Sequence, residues 1–88
     1  MNIEVLYRFE KDFKKLDKQT AIRVAEVVKD LQTIAELDDI PNLRKMQGTD
    51  FAYRIRVGDY RIGFLFADET TIELHRVLHR KEIYRYFP

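Results

Sequence analysis

The 88-residue chain has no cysteine, no tryptophan and no serine, and only three glycines and two prolines. Without thiols it forms no disulfide, zinc–thiolate centre or cysteine nucleophile; without serine it has no serine-based triad. So little Gly and Pro, in a chain 45% hydrophobic and 12% aromatic, excludes the low-complexity and disordered classes. No apolar run approaches the roughly 18 residues of a membrane span, and no signal-peptide pattern opens the chain. The expected setting is the cytoplasm, with no membrane partner. A Gly-rich phosphate loop is missing too. The two histidines, His75 and His79, have no carboxylate cluster beside them, so neither a metal nor a cofactor is expected. The length implies one domain, residues 1–88, with room for a single modest core.

The net charge of +1 is divided unevenly along the chain. Residues 1–40 hold 7 Lys/Arg against 9 Asp/Glu, whereas residues 41–88 hold 9 against 6. Seven of the nine basic residues in the second half are arginines. Arginine presents a planar fork to phosphate, while lysine is the common solubilising residue of a helix surface. A polyanion site is therefore sought in the second half.

The spacing of apolar residues predicts an α+β domain. Ile3 to Tyr7 alternate and predict an N-terminal strand; Phe9, Phe13 and Leu16 then fall on one helix face. Asp17 is placed to cap a second helix with the stripe Ala21, Val24, Val28, Leu31 and Ala35. The two form an antiparallel helical hairpin, closed by the acidic stretch Glu36 to Asn42 with Pro41. The period then drops to two. Tyr53–Val57 and Tyr60–Phe66 flank Gly58–Asp59, a Gly-first two-residue hairpin loop. That turn sets Val57 against Tyr60, Ile55 against Ile62 and Tyr53 against Phe64, and so buries this face. For the next hairpin, a three-residue loop at Ala67 to Glu69 pairs Phe64 with Ile72 and Ile62 with Leu74, and places His75 opposite Arg61. The expected product is a three-stranded antiparallel meander in a curved sheet. One face packs on the helices, the other stands open and arginine-lined, and a short C-terminal helix or tail follows.

On that second face Arg54 lies across from Gly63, and Arg56 across from Arg61. Like charges directly opposite destabilise a strand pair, yet no acidic residue on these two strands offsets them. Such a cluster, with Gly63 leaving space between its members, fits a phosphate-binding concavity. The terminal run HRKEIYRYFP adds His79, Arg80, Lys81, Tyr84, Arg85 and Tyr86. Basic side chains contact phosphates, and tyrosines give flat faces on which unpaired bases stack. Ile83 and Phe87, four apart, are spaced to dock a terminal helix on the core.

The pattern YRIRVGDYRIGF (Tyr53 to Phe64), an acidic turn, and a strand leading into HRKEIYRYF (His79 to Phe87) resemble the RelE/ParE superfamily of type II toxins. The resemblance covers nearly the whole chain and implies that superfamily's fold. The ending HR followed by a tyrosine is similar to the RelE-type branch. Its members are metal-independent endoribonucleases that cut mRNA at the ribosome and are held inactive by an antitoxin in a hetero-oligomer. The ParE branch instead inhibits DNA gyrase by protein–protein binding, which is the alternative reading. The resemblance carries over Arg54, Arg56, Arg61, Arg80 and Tyr84; the expected catalytic set is Arg56, Arg61, Arg80, Tyr84 and His79, and the expected substrate-binding set Arg54, Lys45, Lys81 and Tyr86. Well-characterised RelE toxins carry lysines where this chain has Arg54 and Arg56. An arginine cannot act as general base; His79 or Tyr84 would take the proton of the attacking 2′-hydroxyl. The arginines would then stabilise the charge of the transition state.

Overall fold

The computed structural model describes all 88 residues, Met1–Pro88. Strand β1 (Asn2–Val5) leads into α1 (Tyr7–Lys14) and α2 (Lys18–Leu31). A 3₁₀ turn at Leu37–Asp39 precedes β2 (Leu43–Lys45), β3 (Ala52–Val57), β4 (Tyr60–Asp68) and β5 (Thr71–His79), and α3 (Ile83–Tyr86) ends the structure. The α+β order read from the sequence is thus present. Asp17 caps α2 as expected, its Oδ1 accepting the amide of Thr20 at 3.2 Å. The first strand is shorter than the predicted Ile3 to Tyr7, because α1 already begins at Tyr7. Ala35 likewise lies beyond the end of α2 and is exposed. No helix is long and apolar enough to cross a membrane.

The sheet has five strands in the order β1-β5-β4-β3-β2: the expected antiparallel meander is β3–β4–β5, and β1 and β2 extend it at its two edges. β1 runs parallel to β5, with Ile3 beside Ile72, and the three-residue β2 pairs antiparallel with β3. The β3–β4 register is the predicted one: Val57 faces Tyr60, Ile55 faces Ile62, Tyr53 faces Phe64 and Arg56 faces Arg61. Gly58 makes it possible, since its φ of 60° is a left-handed conformation that a two-residue hairpin turn needs at its first position.

The β4–β5 register differs from the prediction. Phe64 pairs with Leu74, not Ile72; Ile62 pairs with Val77, not Leu74; and Arg61 faces Leu78 instead of His75. The turn falls one residue later, where Asp68 Oδ1 accepts from the amide (2.8 Å) and hydroxyl (3.1 Å) of Thr70. Irregularities between Gly63 and Phe64 and between Phe66 and Asp68 absorb the offset. Each bulge shifts the pleat by one residue, so the apolar residues of β5 return to the helix side. His75 is left without a cross-strand partner and rests on Phe87, with ring centroids 5.9 Å apart.

The helix-facing side holds the main core: Ile55, Ile62, Phe64, Ile72, Leu74 and Val77 packed with Phe9, Val24 and Leu31. α1 is clasped to β5 by a buried carboxylate. Asp12 accepts from Arg76 Nε at 2.7 Å, Arg76 Nη2 at 3.1 Å and the Val77 amide at 3.2 Å. Three donors and a bidentate fork offset the desolvation of that charge. The other face is not open along its whole length. Met46, Ala52, Ile83 and Phe87 make a second buried cluster there, with Leu65 and Leu78 beside it. Ile83 and Phe87 dock as their spacing predicted. Gly63 does not open the floor of the face, however: a Cβ built on it would lie 2.5 Å from Cδ2 of Phe87. The missing side chain makes room for that ring.

Candidate nucleic-acid interface

The uncovered remainder of the second face is a cavity of about 200 Å³ lined by Asn42, Arg44, Arg54, Arg56 and Arg61, with no carboxylate and no apolar residue. Three strands build it. Arg44 of β2 stands opposite Arg54 of β3, and Arg56 of β3 opposite Arg61 of β4. Pairing in the sheet fixes the spacing of the guanidinium stems, so the cluster is held by backbone hydrogen bonds and not by its own attraction.

Backbone carbonyls, an amide side chain and an aromatic ring restrain the guanidiniums; Arg44 Nη1 donates to the Leu43 carbonyl at 3.1 Å. Arg61 Nη1 donates to the carbonyls of Gly58 and Tyr60, both at 2.9 Å, leaving Nη2 and Nε for an outside acceptor. Arg56 Nη2 donates to Asn42 Oδ1 at 3.5 Å. Asn42 itself has a left-handed φ of 61°, a conformation uncommon outside glycine. The guanidinium of Arg54 lies 5.3 Å from the ring centroid of Tyr84, a cation–π contact, and its buried Nε has no hydrogen-bond partner. The pKa of Arg61 is lowered, first by burial and then by Arg54; Arg56 and Arg80 add to the repulsion and Tyr84 opposes it. An anion placed among these groups would relieve the repulsion. The site is therefore complementary to phosphate before any ligand arrives.

Of the residues predicted from the sequence, Arg54, Arg56, Arg61, Arg80 and Tyr84 share this neighbourhood. The remaining four lie elsewhere. His79 lines a different cavity with Asp12, Tyr60 and Glu82, and its Nδ1 accepts the Lys81 amide at 3.2 Å. Tyr86 lines that cavity too, 5.8 Å from the guanidinium of Arg76. Lys45 is engaged by Asp50 at 3.0 Å on the surface, and Lys81 is exposed. Sequence reasoning missed Arg44 and Asn42. Their signal was a strand of three residues, Leu43–Lys45, too short for alternation to reveal.

Fold and site together define a small α+β protein with a phosphate-complementary sheet face, and the comparisons narrow the class. Residues 3–84 match the family described as ParE toxin of type II toxin-antitoxin system. The chain is 41% identical to Toxin RelE3 of Methanocaldococcus jannaschii over 81 residues, 91% of each chain. It superimposes on a chain of the RelB–RelE antitoxin–toxin complex from Methanococcus jannaschii with a TM-score of 0.79 and 36% identity, covering 97% of this chain and 99% of that one. An archaeal RelE–RelB complex from Pyrococcus horikoshii gives 0.72 at 22% identity, covering 90% and 93%, and shares the fold. The chain belongs to the RelE/ParE superfamily of type II toxins.

Proposed function

We propose that this protein is a metal-independent endoribonuclease that cuts mRNA, acting in the cytoplasm on messages engaged by the ribosome. The observation that carries this reading is the cavity of four arginines without a single acid, beside an exposed tyrosine. Such a site binds a phosphodiester and favours it more as negative charge grows on its oxygens. In the reaction, the 2′-oxygen attacks the adjacent phosphorus and the bond to the 5′-oxygen breaks. A 2′,3′-cyclic phosphate results, and the departing 5′-oxygen takes a proton from solvent to leave as a hydroxyl. Arg61, with two nitrogens unspent, and Arg56 neutralise the phosphorane, and Arg80 adds its charge from the end of β5. Of the two candidate bases, Tyr84, packed on Arg54, is the one beside the arginines, and as its phenolate it takes the proton of the 2′-hydroxyl, while His79 lines another cavity.

A cognate antitoxin is the second partner in this reading. The relatives from Methanococcus jannaschii and Pyrococcus horikoshii were captured as RelB–RelE complexes. An acidic antitoxin segment laid over the arginine face would pair with the charges that the protein leaves uncompensated. The matched family's own description, a ParE toxin, keeps gyrase binding as the alternative. Primer extension on translated messages after induction separates the two. Discrete cuts with intact DNA support cleavage; intact messages with broken DNA would establish the gyrase reading instead.

A further inference from the structure

A second polar cavity, of about 300 Å³, lies where the end of α1 meets β5 and α3. Its chemistry is unlike that of the arginine site. Both oxygens of Asp12 are engaged by Arg76 and the Val77 amide, which makes that pair a neutral part of the wall. The remaining lining charges, Lys15 and Glu82, are of opposite sign. His79 Nδ1 accepts the Lys81 amide at 3.2 Å, which leaves Nε2 as the ring nitrogen free of that bond. The walls are aromatic. Tyr60 meets the His79 ring edge-on at 5.5 Å, and Tyr86 packs against the Arg76 guanidinium. A neutral cavity at the lower end of ligand-pocket size, with flat walls, one carboxylate acceptor and several donors, suits an uncharged planar heterocycle better than a phosphate.

The two sites draw on neighbouring residues of the chain. His79 lines this one, whereas the next residue, Arg80, acts on the charge of Arg61 in the other. α3 spans them in the same way, with Tyr84 against Arg54 and Tyr86 in the second cavity. We propose that this cavity binds a base of the single-stranded RNA whose phosphates occupy the arginine site, with Glu82 and His79 Nε2 reading its edge. The proposal rests on the RNA reading above. A carboxylate accepts best from two adjacent N–H groups, so guanine is the preferred base and uracil the poorest.

Binding of RNA trinucleotides that differ at one position tests this without requiring cleavage. The intact protein should favour guanine over uracil at that position by roughly tenfold, the scale of one good edge contact. Glu82→Gln should flatten the ranking. The Glu82 side chain makes no capping bond to α3, so an unchanged melting temperature is expected with it. Arg61→Ala should instead weaken all trinucleotides alike. Guanosine, which carries no phosphate, should shift the His79 and Tyr60 ring resonances and displace the guanine trinucleotide. A ranking unmoved by both Glu82→Gln and Tyr60→Ala would overturn the proposal, as would guanosine that binds without displacing RNA. Should messages remain uncut while Glu82→Gln still changes the ranking, the nuclease reading fails and the base pocket stands. Cleavage with an unmoved ranking gives the reverse.

Discussion

Arg61 holds its charge against burial and three like neighbours, so it is the side chain whose removal should separate function from stability. Deleting it relieves the cross-strand repulsion with Arg56, worth some tenths of a kcal/mol. The same deletion gives up two hydrogen bonds to carbonyls at the turn, one exposed and one half-buried, worth about 1 kcal/mol together at the low end of the usual range. Arg61→Ala should therefore melt within a few degrees of the parent while losing ~10²–10³ in cleavage rate and all growth inhibition. Lysine at the same place keeps the charge, loses the fork and should recover only part of the activity. A fully toxic Arg61→Ala would reduce the arginine face to the wet side of a sheet. Tyr84 permits a finer division. Tyr84→Phe keeps the ring against Arg54 but removes the proton acceptor, so affinity for RNA should hold while kcat falls. Tyr84→Ala should lose both, and equal kcat for the parent and Tyr84→Phe would assign the proton to another group.

At the scale of elements, the end of the chain and the hairpin are fastened through one glycine. Gly63→Ala would drive a methyl into the Phe87 ring. Overpacking of this kind costs about 1–3 kcal/mol, which for so small a domain lowers the melting temperature by about 5–20 °C. In a Phe87→Ala background the same change should cost little, a coupling that a double-mutant cycle by thermal denaturation would measure. The hairpin itself is legible in the sequence. A two-residue turn leaves one register in which Tyr53, Ile55 and Val57 all meet apolar partners, and that register is found. The neighbouring hairpin was not legible, because regular alternation cannot announce a bulge. His75 was assigned a partner on the assumption that β5 keeps its pleat, and the fault lies between Gly63 and Phe64. β2 escaped notice for its length alone, and Arg44 and Asn42 went with it. The split of His79 from Arg80 onto different cavities is likewise a three-dimensional fact, set by where the strand ends.

For the molecule as a whole, the arginine cavity predicts how salt acts. Binding to a single strand loses affinity with a log–log slope of about −0.7 for each phosphate neutralised. Four arginines engaging about three phosphates give a slope near −2 for RNA, measurable by fluorescence titration. Arg44→Ala should make it shallower by about 0.7. An antitoxin complex that covers the same face should weaken with salt as well, yet less steeply, since apolar anchoring is not screened.

The parallel pairing of β1 with β5 bears on when this protein can first act. Asn2 and Ile3 find their ladder partners only at Thr71 and Ile72, and Asp12 finds its clasp only at Arg76. Closing such distant segments costs chain entropy that no earlier contact repays. A chain still in synthesis, with β5 not yet free, has neither a closed sheet nor an assembled arginine cavity. Its helices have only part of their core to rest on. The arginine face is thus complete only once the polypeptide is nearly finished, when the whole surface forms together.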